Sequence, residues 1–166
     1  MQKSGILLLL ALFCTVTAAT AQLPDRILII ENLMRQGDFD RALQTVEEEL
    51  AISAPSPDLL FLKGICCSQI ERLRPQATDI FYQALGICQE WRLKVSILYH
   101  IARMYRLDSE PANAIRIYNH LLEYAVPDKF REHVEQERAS CYRLLKHGGK
   151  TDHGKITGLD HILQAG

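Results

Sequence analysis

Three alanines, each followed four residues later by a larger apolar side chain, recur along this chain: Ala42 with Val46, Ala77 with Phe81, and Ala114 with Tyr118. They stand 35 and 37 residues apart. A spacing of four puts both members of a pair on one helix face. Self-similarity at a period of roughly 20–50 residues marks architectures built by stacking one supersecondary unit. Before each alanine lies a second apolar stripe: Ile29, Ile30 and Leu33; Phe61, Gly64, Ile65 and Ser68; Leu98, Ile101, Ala102 and Tyr105. The middle stripe fits better if the turn IERLRPQ carries one extra residue. Between the first pair of stripes, Gly37 accepts a positive φ at little cost and Asp38 is a good helix N-cap. Pro55, Pro57 and Pro127 mark where units end, because proline cannot continue a helix interior. Each unit therefore reads as helix A, turn, helix B, over about 24–55, 58–91 and 93–127.

This pattern resembles the tetratricopeptide repeat, a helix-turn-helix unit of about 34 residues. Ala42, Ala77 and Ala114 match the family's small position on helix B, where the two helices cross closely, and Gly37 falls in its turn. The units lack the family's tryptophan and their spacing is not uniform. The resemblance implies an all-α fold, a right-handed superhelical solenoid of about three repeats. Residues 128–147, DKFREHVEQERASCYRLLKH, read as one further helix with Phe130, Val134, Cys141, Leu144 and Leu145 on one face. A helix apolar inside and polar outside caps the exposed edge of a stacked array. The glycine-rich stretch 147–158 has no apolar period, so 148–166 is predicted to be a flexible tail. It ends in a small apolar cluster, Leu159, Ile162 and Leu163, which is either a frayed helical turn or a segment that docks onto something.

The chain opens with MQKSGILLLLALFCTVTAATAQ: one lysine, an apolar run and an Ala19-Thr20-Ala21 cleavage signal. Residues 1–21 are read as a secretory signal peptide, giving an exported, periplasmic protein, or a secreted one where no periplasm exists. Acylation at Cys14 is the alternative, disfavoured by the bulk of Phe13 before it. An uncleaved anchor is the other. Export makes an even cysteine count suggest disulfides. The spacing argues against them, because adjacent Cys66 and Cys67 point about 100° apart on a helix. With Cys88 and Cys141 they read as buried thiols.

No catalytic pattern is present: no glycine-rich phosphate loop, no G-x-S-x-G, no H-E-x-x-H and no C-x-x-C. His133 lies eight residues before Cys141, too far along one helix for a nucleophile–base pair. His147, His153 and His161 lack neighbours at ligand spacing, so neither metal nor cofactor is expected. The run Glu47-Glu48-Glu49 reads as a solvated helix face. A net charge of −1 gives no reason to expect nucleic acid. A non-enzymatic chain is predicted.

What remains is surface. The family's groove positions on helix A give Tyr99, Arg103 and Arg106 in the third unit. In the others they give Ile27, Glu31 and Met34, then Leu62, Cys66 and Gln69. An aromatic ring beside two guanidinium groups suits a peptide carboxylate or an acidic segment. The competing arrangement packs Tyr99 between helices and leaves the arginines to solvent. The partner-binding set is thus Tyr99, Arg103, Arg106, Gln69, Leu62 and Met34. The clamp some family members use for C-terminal dicarboxylates has no counterpart, since Ile27 and Glu31 occupy the positions where it would begin. The expected function is a protein-interaction scaffold of the bacterial cell envelope holding a peptide or protein segment, with no small-molecule substrate evident. The run LLEYAVPDKFREHVEQ is also similar to the repeat domain of surface lipoprotein assembly modifiers. That similarity implies the alternative, a component of an outer-membrane assembly or secretion machine with peripheral membrane association.

Overall fold

The structure, a computed structural model, describes residues 25–147. The predicted signal peptide and the predicted tail lie outside the described residues. Within them every regular element is helical, and the chain divides into two units, one ending at Pro55 and one starting at Ser56.

In the first unit, α1 covers residues 25–35 and α2 Phe39–Ile52. The turn between them follows from Gly37, whose φ is 79°. Its N–H reaches the Met34 carbonyl at 3.0 Å, and the Asp38 N–H reaches that of Leu33 at 3.0 Å. These are the two bonds of a Schellman stop, which requires the left-handed residue at its centre. Asp38 then accepts the Arg41 N–H at 3.2 Å and starts α2. Ile30, Ala42 and Val46 are fully buried. Glu49 departs from the expected solvated face: it is buried and pairs with Arg26 at 3.7 Å, while Glu47 and Glu48 stay exposed. Glu49 continues the Ala42/Val46 stripe by three residues, which carries it inward.

The second unit contains α3 Pro57–Gln69, α4 Arg74–Ile87, α5 Trp91–Leu107, α6 Pro111–Leu121 and α7 Asp128–Lys146. Each packs on the next, and α3 also touches α5. The stop of α5 repeats that of α1. Ser109 has φ 61°, its N–H reaches Arg106 O at 3.3 Å, and Glu110 N–H reaches Tyr105 O at 2.8 Å. The α3–α4 junction is different, with a 3-10 turn over Glu71–Leu73. Ala77, Phe81, Ala84, Ile101, Ala102, Ala114, Tyr118, Leu121, Val134 and Cys141 are fully buried. α3 and α4 meet where Gly64 faces Phe81: a Cβ on Gly64 would lie 2.5 Å from Phe81 Cε1.

α7 is held by side chains as much as by apolar area. Val134 and Cys141 are its buried residues, whereas Leu144 is exposed. Arg131 donates to the carbonyls of Leu122 (3.0 Å) and Tyr124 (3.2 Å), which end α6, and Arg138 donates to Asn119 Oδ1 at 2.8 Å. A guanidinium on terminal carbonyls satisfies acceptors that a helix leaves unpaired.

Candidate functional site

α5 carries the densest set of predicted partner-binding residues. Tyr99, Arg103 and Arg106 recur at spacings of four and three, so they share one face. Their environments differ. Arg103 lies over the Tyr99 ring, its guanidinium carbon 5.9 Å from the ring centre, and has no carboxylate at ion-pair distance among the described residues. Arg106 is committed instead, its Nε 2.9 Å from Glu137 Oε2 of α7, with both groups about a quarter exposed or less.

Tyr99 is half-buried and touches two neighbouring helices. Its ring centre lies 5.6 Å from Phe130 and 5.6 Å from His133 on α7, and 6.4 Å from Tyr118 on α6. Its hydroxyl shares a 2.7 Å hydrogen bond with His133 Nε2, the donor depending on the imidazole tautomer. Burial raises the Tyr99 phenol above its ordinary value, with Arg103 opposing. Tyr99 is therefore both a packing residue and the platform on which Arg103 rests.

Beside it His100 points the other way, into a ring cluster with Phe61 (5.3 Å) and Phe81 (5.5 Å). Burial, assisted by Arg103, pushes its imidazole down to about 4, so near neutral pH it behaves as an uncharged aromatic. His100, Arg103, Gln69 and Ser68 share a small recess of about 20 Å³ with Met104 and Leu107. The structure thus brings together Gln69 and Arg103 of the predicted set, and it joins Arg103 to Tyr99.

Leu62 is different. It is buried, which takes it out of an open surface, and Cys66 beside it is fully buried. Phe61, one position earlier, is the residue whose ring meets His100 of α5. The 3-10 turn after α3 accounts for the one-residue change of register. Met34 lies half-buried on α1, in the other unit.

A second feature escapes the spacing argument. Trp91, Arg92, Val95 and Ser96 at the start of α5 face Ala125, Val126, Pro127 and Phe130 across an open cavity of about 820 Å³. Its walls are mostly apolar. Among the described residues, the only charged group lining it is Arg92, whose guanidinium carbon lies 5.5 Å from the Trp91 ring centre. Phe130 is shared with the Tyr99 cluster. The cavity is not legible in the sequence because one side of it is formed largely by the α6–α7 connection, which has no periodicity.

The cysteines offer little chemistry. The four described ones are buried and free of disulfides. Desolvation, then neighbouring Cys67, pushes the Cys66 thiol up to about 12, and burial also raises Cys88 and Cys141. A thiol so shifted is a poor nucleophile and a poor metal ligand near neutral pH. Among the described residues, no three His, Cys, Asp or Glu side chains are grouped to hold a metal ion. No described helix is long and apolar enough to cross a membrane.

Fold and site together define an all-helical protein that offers a half-buried aromatic–guanidinium face next to an apolar cavity. Comparison with protein families, with curated proteins and with solved structures returns no match.

Proposed function

We propose that this chain is an exported adaptor of the cell envelope, built from tetratricopeptide-like repeats stacked as a right-handed solenoid and capped by α7, which binds a protein or peptide segment and performs no chemistry of its own. Two features support the repeat reading. Ala42, Ala77 and Ala114 are each fully buried, and the Gly37 and Ser109 turns use the same pair of hydrogen bonds, each five residues before a buried alanine.

The observation that carries the binding reading is Arg103. A guanidinium stacked on Tyr99, with no carboxylate partner among the described residues, has its charge and donors available to an anion. Arg106, neutralised by Glu137, contributes less. The favoured partner is therefore a segment with one carboxylate placed to meet Arg103 and an apolar group to lie along Tyr99.

The test is parallel affinity capture from the native host with wild-type bait and Arg103→Glu. Partners that the wild type retains should be lost from the variant, with helical content unchanged by circular dichroism. An identical set of captured partners would remove Arg103 from the binding face.

A further inference from the structure

The cavity between Trp91 and Phe130 is open and mostly apolar, and the chain itself contains a segment of matching character. We propose that the segment Leu159-Asp160-His161-Ile162-Leu163 seats in this cavity as an intramolecular plug. Leu159, Ile162 and Leu163 recur at i, i+3 and i+4, so a single helical turn presents all three on one side. The cavity offers the matching surface in Trp91, Val95, Val126 and Phe130.

Charge points the same way. Arg92 is the only charged side chain lining the cavity among the described residues, and Asp160 is the only acidic residue in the segment. No described carboxylate lines the cavity to oppose Asp160.

Reach is sufficient. From Phe130 to His147, α7 rises about 25 Å away from the cavity. The twelve residues from His147 to Leu159 can span about 40 Å. Four glycines, Gly148, Gly149, Gly154 and Gly158, lie along that path and ease a reversal of direction. A tether of this length holds the segment at an effective concentration on the order of millimolar, which favours the chain's own segment over a free peptide of equal affinity. Arg103 does not line the cavity, so docking of this segment and binding of a partner at Arg103 are independent.

Trp91 is the only tryptophan in the chain, and it reports on this cavity alone. In the full chain, replacing Leu159, Ile162 and Leu163 together by Ser should red-shift Trp91 emission and remove its shielding from acrylamide. A synthetic peptide of residues 157–166, added to that variant at millimolar concentration, should restore both. Asp160→Arg should lose the shielding, and Arg92→Asp in the same chain should recover it. The substitutions that empty the cavity leave the sequence of α3–α7 unchanged, so unchanged thermal melting separates loss of docking from loss of fold. Equal quenching in wild type and triple variant would overturn the proposal. So would failure of the charge swap, or shielding that grows with protein concentration, which would mark a second copy's segment as the occupant.

Discussion

The α3–α4 hairpin and the α5–α7 end of the same unit are held by opposite means. Between α3 and α4 the central contact is apolar and close: Gly64 has no side chain, and the fully buried Phe81 ring occupies the space where one would be. At the other end α7 leans on polar contacts, with Arg131 on two carbonyls, Arg138 on Asn119, Arg106 on Glu137 and Tyr99 on His133. A jigsaw contact tolerates no change of volume, whereas hydrogen bonds and ion pairs can be exchanged for others of the same kind. Rigidity belongs to the first region. The more exposed and exchangeable contacts, including Arg103 on Tyr99 and the walls of the Trp91 cavity, belong to the second.

The comparison is broken most severely at Gly64. In Gly64→Ala the new Cβ meets two Phe81 ring carbons at 2.5 and 2.6 Å, and the ring has no exposed side into which it can turn. The helices must move apart, at a cost of about 3 kcal/mol, the upper end of ordinary overpacking. Urea unfolding should show a lower midpoint with the slope preserved. A midpoint within error of wild type would mean that α3 and α4 are not locked by this contact.

Residues whose role is set by their own helix are legible in the amino-acid order. The apolar stripes reveal the all-helical class, and Ala42, Ala77 and Ala114 stand out because a small residue four before a large one is a local pattern. Glu49 is legible in principle as well, since it lies on the Ala42/Val46 stripe. The polar partners are not. His133 is 34 residues from Tyr99 and Glu137 is 31 from Arg106, and nothing local separates Glu137 from Glu132 or Glu135 on the same helix. Spacing misplaces Leu62 for a related reason. One additional residue in the turn after α3 rotates the assignment of groove positions, so Phe61 meets His100 while Leu62 is buried.

His100 joins the two regions, an α5 residue whose ring sits among those of α3 and α4. Its folded-state value is depressed from 6.5 to about 4, chiefly by burial and also by Arg103, the charged neighbour acting on it. Above about pH 6.5 the group is neutral in both folded and unfolded chains and costs nothing. As pH falls from 6.5 towards 4 the unfolded chain takes up a proton that the folded chain refuses, so stability drops through that window and the penalty is complete below it. Allowing for partial exposure of the ring, the loss is about 2 kcal/mol. His100→Phe keeps an aromatic ring in the cluster and removes the proton, so this variant's stability should lack the His100 contribution to the fall between pH 6.5 and 4. Parallel profiles for the two proteins would place the imidazole in solvent rather than among Phe61 and Phe81.

The smallest of these effects is the sharpest test of how α7 is held. Arg131 donates to Leu122 O and Tyr124 O, acceptors at the end of α6 that have no further turn of helix to receive. Arg131→Ala leaves those carbonyls to water and should cost about 1.5 kcal/mol, the range for hydrogen bonds from a charged donor, partly offset by solvent access. The loss should be local. Amide exchange should quicken across α7 and the end of α6, while the amides of α3 and α4 keep their protection, because the Gly64–Phe81 contact does not pass through Arg131. Arg131→Lys should recover only part of the loss, since one ammonium cannot bridge both carbonyls as the planar guanidinium does. If exchange instead rose equally in all five helices, α7 would be part of one cooperative block with α3 and α4. The contrast between a fixed hairpin and an adjustable end would then fail.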